Sequence, residues 1–324
     1  MEETYKYTVF VRCMTYNHSE YIEDAMNGFC IQETSFPYVC CIVDDCSNDG
    51  EQQIIKNYIH EHFILETVPE NYDYGEVIFA RHKKNFNCFF AVILLKQNHY
   101  SIRKSKTKYF SKWRTSAQFE AICEGDDYWI AKNKLQRQTE FLLNHDNYVL
   151  CTHAFQKLEE KSLGPIINNS PSPFSYNLKR SLHSWFTQPL TALYRLDAYP
   201  SKEEISKYKN YMDNHLFYLI LRKGLAYHIG ECMGVYRITG KGVWTSISKT
   251  KAYKSDLFSY MELYRQNNDN LLRWKIASVY STYLSEAIFN KEDLVKVPYD
   301  VLGIWGVCEV VVKTIKKIIF KIIL

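Results

Sequence analysis

The sequence has no CxxC pair, no uninterrupted apolar run of about 18 residues and no marked excess of either charge, and each absence excludes a class of function. Ten cysteines are scattered among apolar residues, with Cys40 and Cys41 adjacent, so they predict buried reduced thiols, not a disulfide frame or a zinc site. No transmembrane helix is expected. The opening MEETYKYTVF lacks the basic-then-apolar pattern of a secretory signal, so the protein is expected on the cytosolic side. Lys and Arg number 40 against 36 Asp and Glu, too even for a surface that binds nucleic acid. No internal repeat is present, and the first candidate loop, CMTYNHSEY, has no glycine-rich cradle for phosphates. What is present suffices for a large core: 324 residues, 46% hydrophobic and 15% aromatic, with 26 tyrosines.

Along the chain, KYTVFVRCMTYN reads as a strand that breaks at a polar turn. A helix follows over Tyr21–Cys30, where Ile22, Ala25, Met26 and Phe29 recur at helical spacing and Ser19 with Glu20 supplies the N-cap. YVCCIVDDCSNDG is a buried strand ending in Asp44 and Asp45, with a new helix opening near Glu51. This alternation implies a mostly parallel sheet with crossover helices, whose ligands bind at the carboxyl ends of the strands. The segment RHKKNFNCFFAVILLKQNHY is expected as a turn and a helix, and SIRKSKTKYFSKWR as an exposed basic stretch. AQFEAICEGDD is another strand ending in carboxylates. A helix follows it with Leu135, Gln138, Phe141 and Leu142 on one face. NYVLCTHAF is a further strand, 160–180 a long loop, and NYMDNHLFYLILRKG a helix. From about residue 251 the pattern is helical, which divides the chain into a catalytic domain, 1–250, and a C-terminal helical region, 251–324.

Three carboxylates, Glu124, Asp126 and Asp127, stand almost side by side in CEGDDYW. Crowded like charges repel unless something cationic sits among them. A hard divalent cation, Mg²⁺ or Mn²⁺, is one answer, since it takes oxygen ligands and bridges them to substrate phosphates. A plain acidic turn, with Asp127 capping the next helix, is the other. Asp44 or Asp45 can accept hydrogen bonds from a nucleoside. In the last stretch, IWGVCEVVVKTIKKIIFKIIL, Lys313, Lys316, Lys317 and Lys321 fall on one stripe. Ile315, Ile318, Ile319 and Ile322 fall mostly on other faces. A basic amphipathic helix lying in an anionic membrane interface is expected; docking on the protein's own core with a solvated lysine edge is the alternative.

Five blocks in order, TYNHSEYIEDAMNGFCIQ, IVDDCSNDG, ICEGDDYWIAKNKLQRQTEFL, YMDNHLFYLILRKG and GVYRITGKGVWTS, resemble the successive motifs of family 2 nucleotide-sugar glycosyltransferases. The likeness runs from about residue 7 to 246 and is strongest to bacterial members that build capsule, O-antigen and other surface polysaccharides. It implies the GT-A fold, a nucleotide-diphospho-sugar donor (a UDP-sugar first), a divalent metal, and inversion at the anomeric carbon. The implied acceptor is a glycan or lipid-linked hydroxyl at the inner face of the membrane. Carried over by position, Thr15 and Tyr16 meet the nucleotide, Asp45 with Asp44 contacts base or ribose, and Glu124 holds the ribose. Asp126 and Asp127 hold the metal on the diphosphate, Asp126 also meeting the donor. Asp213 is the catalytic base, and Arg237 and Trp244 lie in a late loop over the donor.

Each assignment has a structural counterpart: Asp213 as a helix N-cap, His215 as a packing histidine, Arg237 as a partner for a carboxylate, Tyr128 and Trp129 as packing aromatics, His18 as a loop residue. The chain also departs from the family pattern. IAK follows DDYW in place of a TDP-like turn, and the donor loop is represented only by KNFNCFF, which puts contacts from Asn85 or Asn87 in doubt. The QxxRW signature of processive synthases is absent, which favours one transfer per encounter. A nucleotidyltransferase would need the missing glycine loop. A non-catalytic sugar-binding relative would be expected to have lost the acidic motif or the base, and both are present.

Overall fold

The computed structural model describes residues 5–240, 247–292 and 294–323, with side chains up to residue 319 in the last segment. The chain opens with β1 (Tyr7–Thr15), α1 (Ile22–Cys30), β2 (Tyr38–Asp44) and α2 (Glu51–His62). There follow β3 (Phe63–Leu65), β4 (Glu70–Tyr72), β5 (Gly75–His82), β6 (Cys88–Leu95), α3 (Thr107–Arg114) and β7 (Ala117–Ile122). Next are β8 (Tyr128–Trp129), α4 (Lys134–Leu143), β9 (Tyr148–Glu159), β10 (Ser162–Ile167), β11 (Phe174–Tyr176) and α5 (Leu178–His183). The remainder is β12 (Leu193–Arg195), α6 (Lys202–Ser206), α7 (Asp213–Leu221), β13 (Leu225–Ile238), α8 (Lys249–Asn267), α9 (Asn270–Phe289) and α10 (Tyr299–Ile323).

The strands form one mixed sheet in the order β11-β13-β9-β12-β7-β1-β2-β6-β5-β3. Its centre, β7-β1-β2-β6, is parallel, while β12 runs antiparallel between β7 and β9 and β5 antiparallel to β6. All seven residues of β2 are buried, as a parallel strand covered on both faces requires. Side chains alternate across the sheet. Val9, Val11, Cys40 and Ile42 pack toward α1, α2 and α4, while Phe10, Val39, Cys41 and Val43 pack toward Tyr109, Phe110 and Trp113 of α3. Gly28 in α1 lets that helix lie on β8: a Cβ there would come within 2.8 Å of the Trp129 backbone. All ten cysteines are unbridged.

Five readings are corrected, two of them by elements that were not expected: 160–180 carries β10, β11 and the start of α5, and SIRKSKTKYFSKWR carries α3 with Tyr109, Phe110 and Trp113 buried. The segment read as a turn and a helix is the β5–β6 hairpin. CFFAVILL is a fully covered strand, and a continuous apolar run does not separate that from a buried helix. Ser19 does not cap α1; its N–H donates to Asp49 and the N-cap is Tyr21. Asp127 does not cap α4, whose N-cap is Asn133. Gln138, on the apolar face of α4, is buried with its amide donating to the carbonyls of Cys151 and Thr191, and it accepts from the buried Lys134.

The chain divides into two compact units. The first holds the sheet: 1–176, Phe186–Tyr199 and Lys223–Ile238. The second comprises Asn177–Trp185, Pro200–Arg222 and the described residues from Thr239 onward, so two whole segments and the start of a third fall within the expected catalytic span of 1–250. It has its own core, built from Tyr218 and Leu219 of α7, Leu257 and Leu263 of α8, Leu272 and Ile276 of α9, and Val301 and Val310 of α10.

Candidate active site

In the first unit β7, β1 and β2 lie side by side, and their carboxyl ends release three loops at one edge of the sheet. They carry Thr15–Ser19, Asp44–Glu51 and Glu124–Asp127. The β1–β7 ladder continues past the strand ends, with Cys123 N–H donating to Arg12 O and Gly125 N–H to Met14 O. Glu124 Oε2 accepts from Met14 N–H at 3.0 Å, so this carboxylate ties the acidic turn to β1. Gly125 allows the turn to rest on Thr15; a Cβ there would overlap the Thr15 side chain.

The two aspartates of the turn differ sharply. Asp126 is half-buried, its carboxylate 3.7 Å from His18 Nε2. Asp127 is buried, and its Oδ1 accepts from Arg237 N–H at 2.9 Å. Burial, reinforced by the neighbouring Asp126 charge, pushes the Asp127 carboxyl well above the usual carboxylate range. Arg237 supplies the positive charge. Its Nη1 donates to Asp126 O at 2.8 Å and its Nη2 to Asp24 at 2.7 Å. Its guanidinium also lies 4.6 Å from the Tyr21 ring centroid and 5.0 Å from that of Tyr128. Arg237 therefore does pair a carboxylate, Asp24. The indole of Trp129 is buried and donates to Leu190 O, so it packs and walls no pocket.

Glu51 is the residue that sequence reasoning passed over. It opens α2 with its side chain fully buried, accepting from Thr15 Oγ1, from His18 N–H at 2.9 Å and from Ser47 Oγ at 2.8 Å. Thr15 Oγ1 in turn lies 3.2 Å from His18 Nδ1. The β1 loop is thus pinned to the β2–α2 loop through one carboxyl. Burial raises that carboxyl to about 7, against the lowering effect of its three donors. His18 is held below its usual value by burial, although Asp126 opposes this. His18 is a loop residue, as expected, and the loop sets it against Asp126.

Asp44 and Asp45 diverge in the same way. Both oxygens of Asp45 are engaged, by His99 N–H at 2.7 Å, Tyr100 N–H at 2.9 Å and Lys106 Nζ at 2.7 Å. Burial would raise its pKa, but Lys106 and the two amides hold it below the ordinary value. Asp45 thereby anchors the basic segment after β6. Asp44 is fully buried; its Oδ1 accepts from Ser47 N–H and Gln52, while Oδ2 is a buried oxygen with no hydrogen-bond partner among the described residues. Tyr16, beside them, is 42% exposed. Asn85 and Asn87 lie at the opposite edge of the sheet, ahead of β6, donating to the carbonyls of Cys30, Gln32 and Thr34.

In the second unit, Asp213 is the exposed first residue of α7, where a carboxylate faces the positive end of the helix dipole. Met212 is the N-cap. His215 is buried with Nδ1 accepting from Met212 N–H and Nε2 3.4 Å from Glu262, which is the packing role. Trp244 lies outside the described residues.

Among the described residues no three His, Cys, Asp or Glu side chains converge into a ready-made cation cage. Asp126 and Asp127 nonetheless offer the donor chemistry a hard cation takes. One half-buried carboxylate and one buried carboxyl that a cation would restore to its charged form are enough where substrate oxygens and water complete the sphere.

Residues 13–201 match the profile of glycosyl transferase family 2. The chain belongs to that family. Among relatives of the family 2 chain, the uncharacterised protein Rv1520 of Mycobacterium tuberculosis (strain H37Rv) is 28% identical over 240 residues, 72% of this chain and 59% of the relative. The chain thus spans about three fifths of the length of that relative. TuaG of Bacillus subtilis (strain 168), provisionally named a teichuronic acid biosynthesis glycosyltransferase, is 25% identical over 81% of this chain and 90% of its own. The crystal structure of Staphylococcus aureus TarS 1–349 in complex with UDP superposes with a TM-score of 0.56 at 15% identity, covering 96% of this chain and 89% of that one. The fold is GT-A: a mixed sheet flanked by helices, followed by C-terminal helices.

Proposed function

We propose that this chain is an inverting glycosyltransferase that moves a sugar from a nucleotide-diphospho-sugar to a hydroxyl of a glycan or lipid-linked acceptor during surface-polysaccharide synthesis. The observation that carries the reading is the loop edge of β7, β1 and β2. There the acidic turn rests on Thr15 through Gly125, beside the unpartnered Asp44 oxygen and the exposed Tyr16. Family membership and the name of TuaG support polysaccharide synthesis, and the UDP in the TarS crystal structure supports a UDP-sugar as first choice.

In this reading Thr15, Tyr16 and Asp44 receive the nucleoside, Asp44 Oδ2 offering the hydrogen-bonding atom, while Asp45 acts indirectly by holding 99–106 in place. Glu124 braces the turn and sits at the ribose end. Asp126 and Asp127 would hold Mg²⁺ or Mn²⁺, which when bound neutralises charge on the departing diphosphate. Arg237 sets the field at the turn through Asp126 O and the Asp127 carboxyl. Asp213 is the proposed general base, taking the proton of the acceptor hydroxyl as it attacks the anomeric carbon and the bond to the diphosphate breaks. Trp244 is proposed to cover the donor. A lipid-linked acceptor places the reaction at the inner face of the cell membrane.

Thermal shift with UDP-, GDP- and dTDP-sugars and Mn²⁺ tests the reading, because a ligand that binds only the folded chain raises its midpoint. A UDP-sugar is expected to stabilise the wild type and to lose that effect in Asp44→Ala. Stabilisation by none of the three would contradict a nucleotide-sugar site.

A further inference from the structure

Helix α10 wears its polarity inside out. After a break at Gly303 (φ 66°), its inward face consists of Gly306, Val310 and Thr314, packed in the second unit with Leu302 and Ala277 nearby. Of the lysines expected on one stripe, Lys313 and Lys317 turn toward α9. Lys317 Nζ lies 3.4 Å from Ser281 Oγ and donates to Thr282, while Lys313 pairs with Glu309 and lies 4.7 Å from the Trp274 ring centroid. The outward face is apolar. Ile304, Trp305, Val311, Val312, Ile315 and Ile319 are 50–85% exposed, Trp305 most of all, and their spacing of three, four and seven places them on one side. The preceding turn exposes Phe289, Leu294 and Tyr299 as well.

Soluble surfaces rarely leave so continuous an apolar stripe uncovered. No helix among the described residues is long and apolar enough to cross a bilayer, and a helix with one apolar and one polar face has the form that suits an interface. We propose that the outward face of α10, residues 304–319, seats in the headgroup region of an anionic membrane. Trp305 serves as the interfacial anchor and the exposed Lys316 at the edge of the stripe contacts acidic headgroups. Charge decides against a second copy as the occupant. The stripe's edge carries Lys316, and the helix's acid between 304 and 319, Glu309, is taken by Lys313, so two copies face to face would set cation against cation. The inference deepens the proposed function and rests on it only for the lipid-linked acceptor.

The test uses the full chain with vesicles of phosphatidylglycerol and phosphatidylcholine, compared with phosphatidylcholine alone. An environment-sensitive fluorophore on the exposed Cys308 reports insertion. Flotation with the anionic vesicles, weakened by salt, and a blue shift of the label are expected. The double variant Val311→Asp/Ile315→Asp should lose about tenfold or more in partition, since each change removes apolar side-chain burial and adds a charge. Lys316→Glu should remove the preference for anionic lipid. All variants alter exposed positions and are expected to keep the wild-type melting point and donor turnover. Absence of flotation, or flotation that the double variant leaves unchanged, overturns the proposal. So does a concentration-dependent dimer that the double variant breaks without any vesicle binding. Donor turnover without flotation would sink this proposal and leave the transferase standing; flotation without turnover of any donor would do the reverse.

Discussion

Replacing Glu51 by Gln tests the idea that one buried carboxyl organises the nucleotide-side loops. Glu51 is fully buried and its pKa rises from 4.5 to about 7, whereas in the unfolded chain it titrates near its ordinary value. Between these values the folded chain keeps a proton that the unfolded chain has released, so stability falls as pH rises. The contribution is fully present below the unfolded value and is lost as pH climbs through the folded one. A rise from 4.5 to about 7 corresponds to about 3 kcal/mol. Glutamine is neutral at every pH, nearly isosteric, and still accepts from His18 N–H and Ser47 through its carbonyl oxygen, with Thr15 Oγ1 turning to accept from its amide. Urea unfolding of wild type and Glu51→Gln at pH 5, 6 and 7.5 gives the comparison. The wild type should lose stability relative to the variant across this range, with the two close at pH 5. Parallel pH dependences would refute the argument, because they would mean that Glu51 is already ionised in the folded protein.

Further outcomes follow from the same geometry. Gly125→Ala should abolish donor-induced stabilisation while leaving a folded chain, because the added Cβ drives the acidic turn off Thr15; retained donor binding in a thermal shift would count against the turn as part of the site. Arg237→Lys should lower donor turnover nearly as far as Arg237→Ala, since an ammonium cannot fork between Asp126 O and Asp24 while filling the gap between Tyr21 and Tyr128; full activity in the lysine variant would show that charge alone suffices. Asp213→Asn should lower kcat for transfer by about 10²- to 10⁴-fold with donor binding intact, and a change of less than about tenfold would remove Asp213 from the role of base.

How far the sequence foretold this outcome depends on how local each signal is. The β1–α1–β2–α2 alternation was legible because its helices are amphipathic and its strands end at sharp polar turns, and the acidic turn stood out because like charges rarely crowd without a reason. β6 was misread because CFFAVILL is apolar throughout, so neither period shows. The division of roles within each aspartate pair was invisible. It is set by Lys106, 61 residues beyond Asp45, and by Arg237, 110 residues beyond Asp127. Glu51 looked like an ordinary acid in the first turn of a helix, and only burial beneath the Thr15–His18 loop gives it another role. Which side of α10 faces the rest of its unit was not legible for a related reason. The lysine stripe was plain in the sequence, but its turning toward Ser281, Thr282 and Trp274 depends on which side α9 occupies.

The most direct test of the central claim is turnover of a UDP-sugar with Mn²⁺ by wild type, Asp126→Ala and Asp127→Ala, each with and without a chelator. Wild-type turnover that the chelator abolishes is expected, with a fall of about 10²-fold or more in each variant, as when charge stabilisation of several kcal/mol is removed. Turnover that survives the chelator, or that both substitutions leave intact, would contradict it.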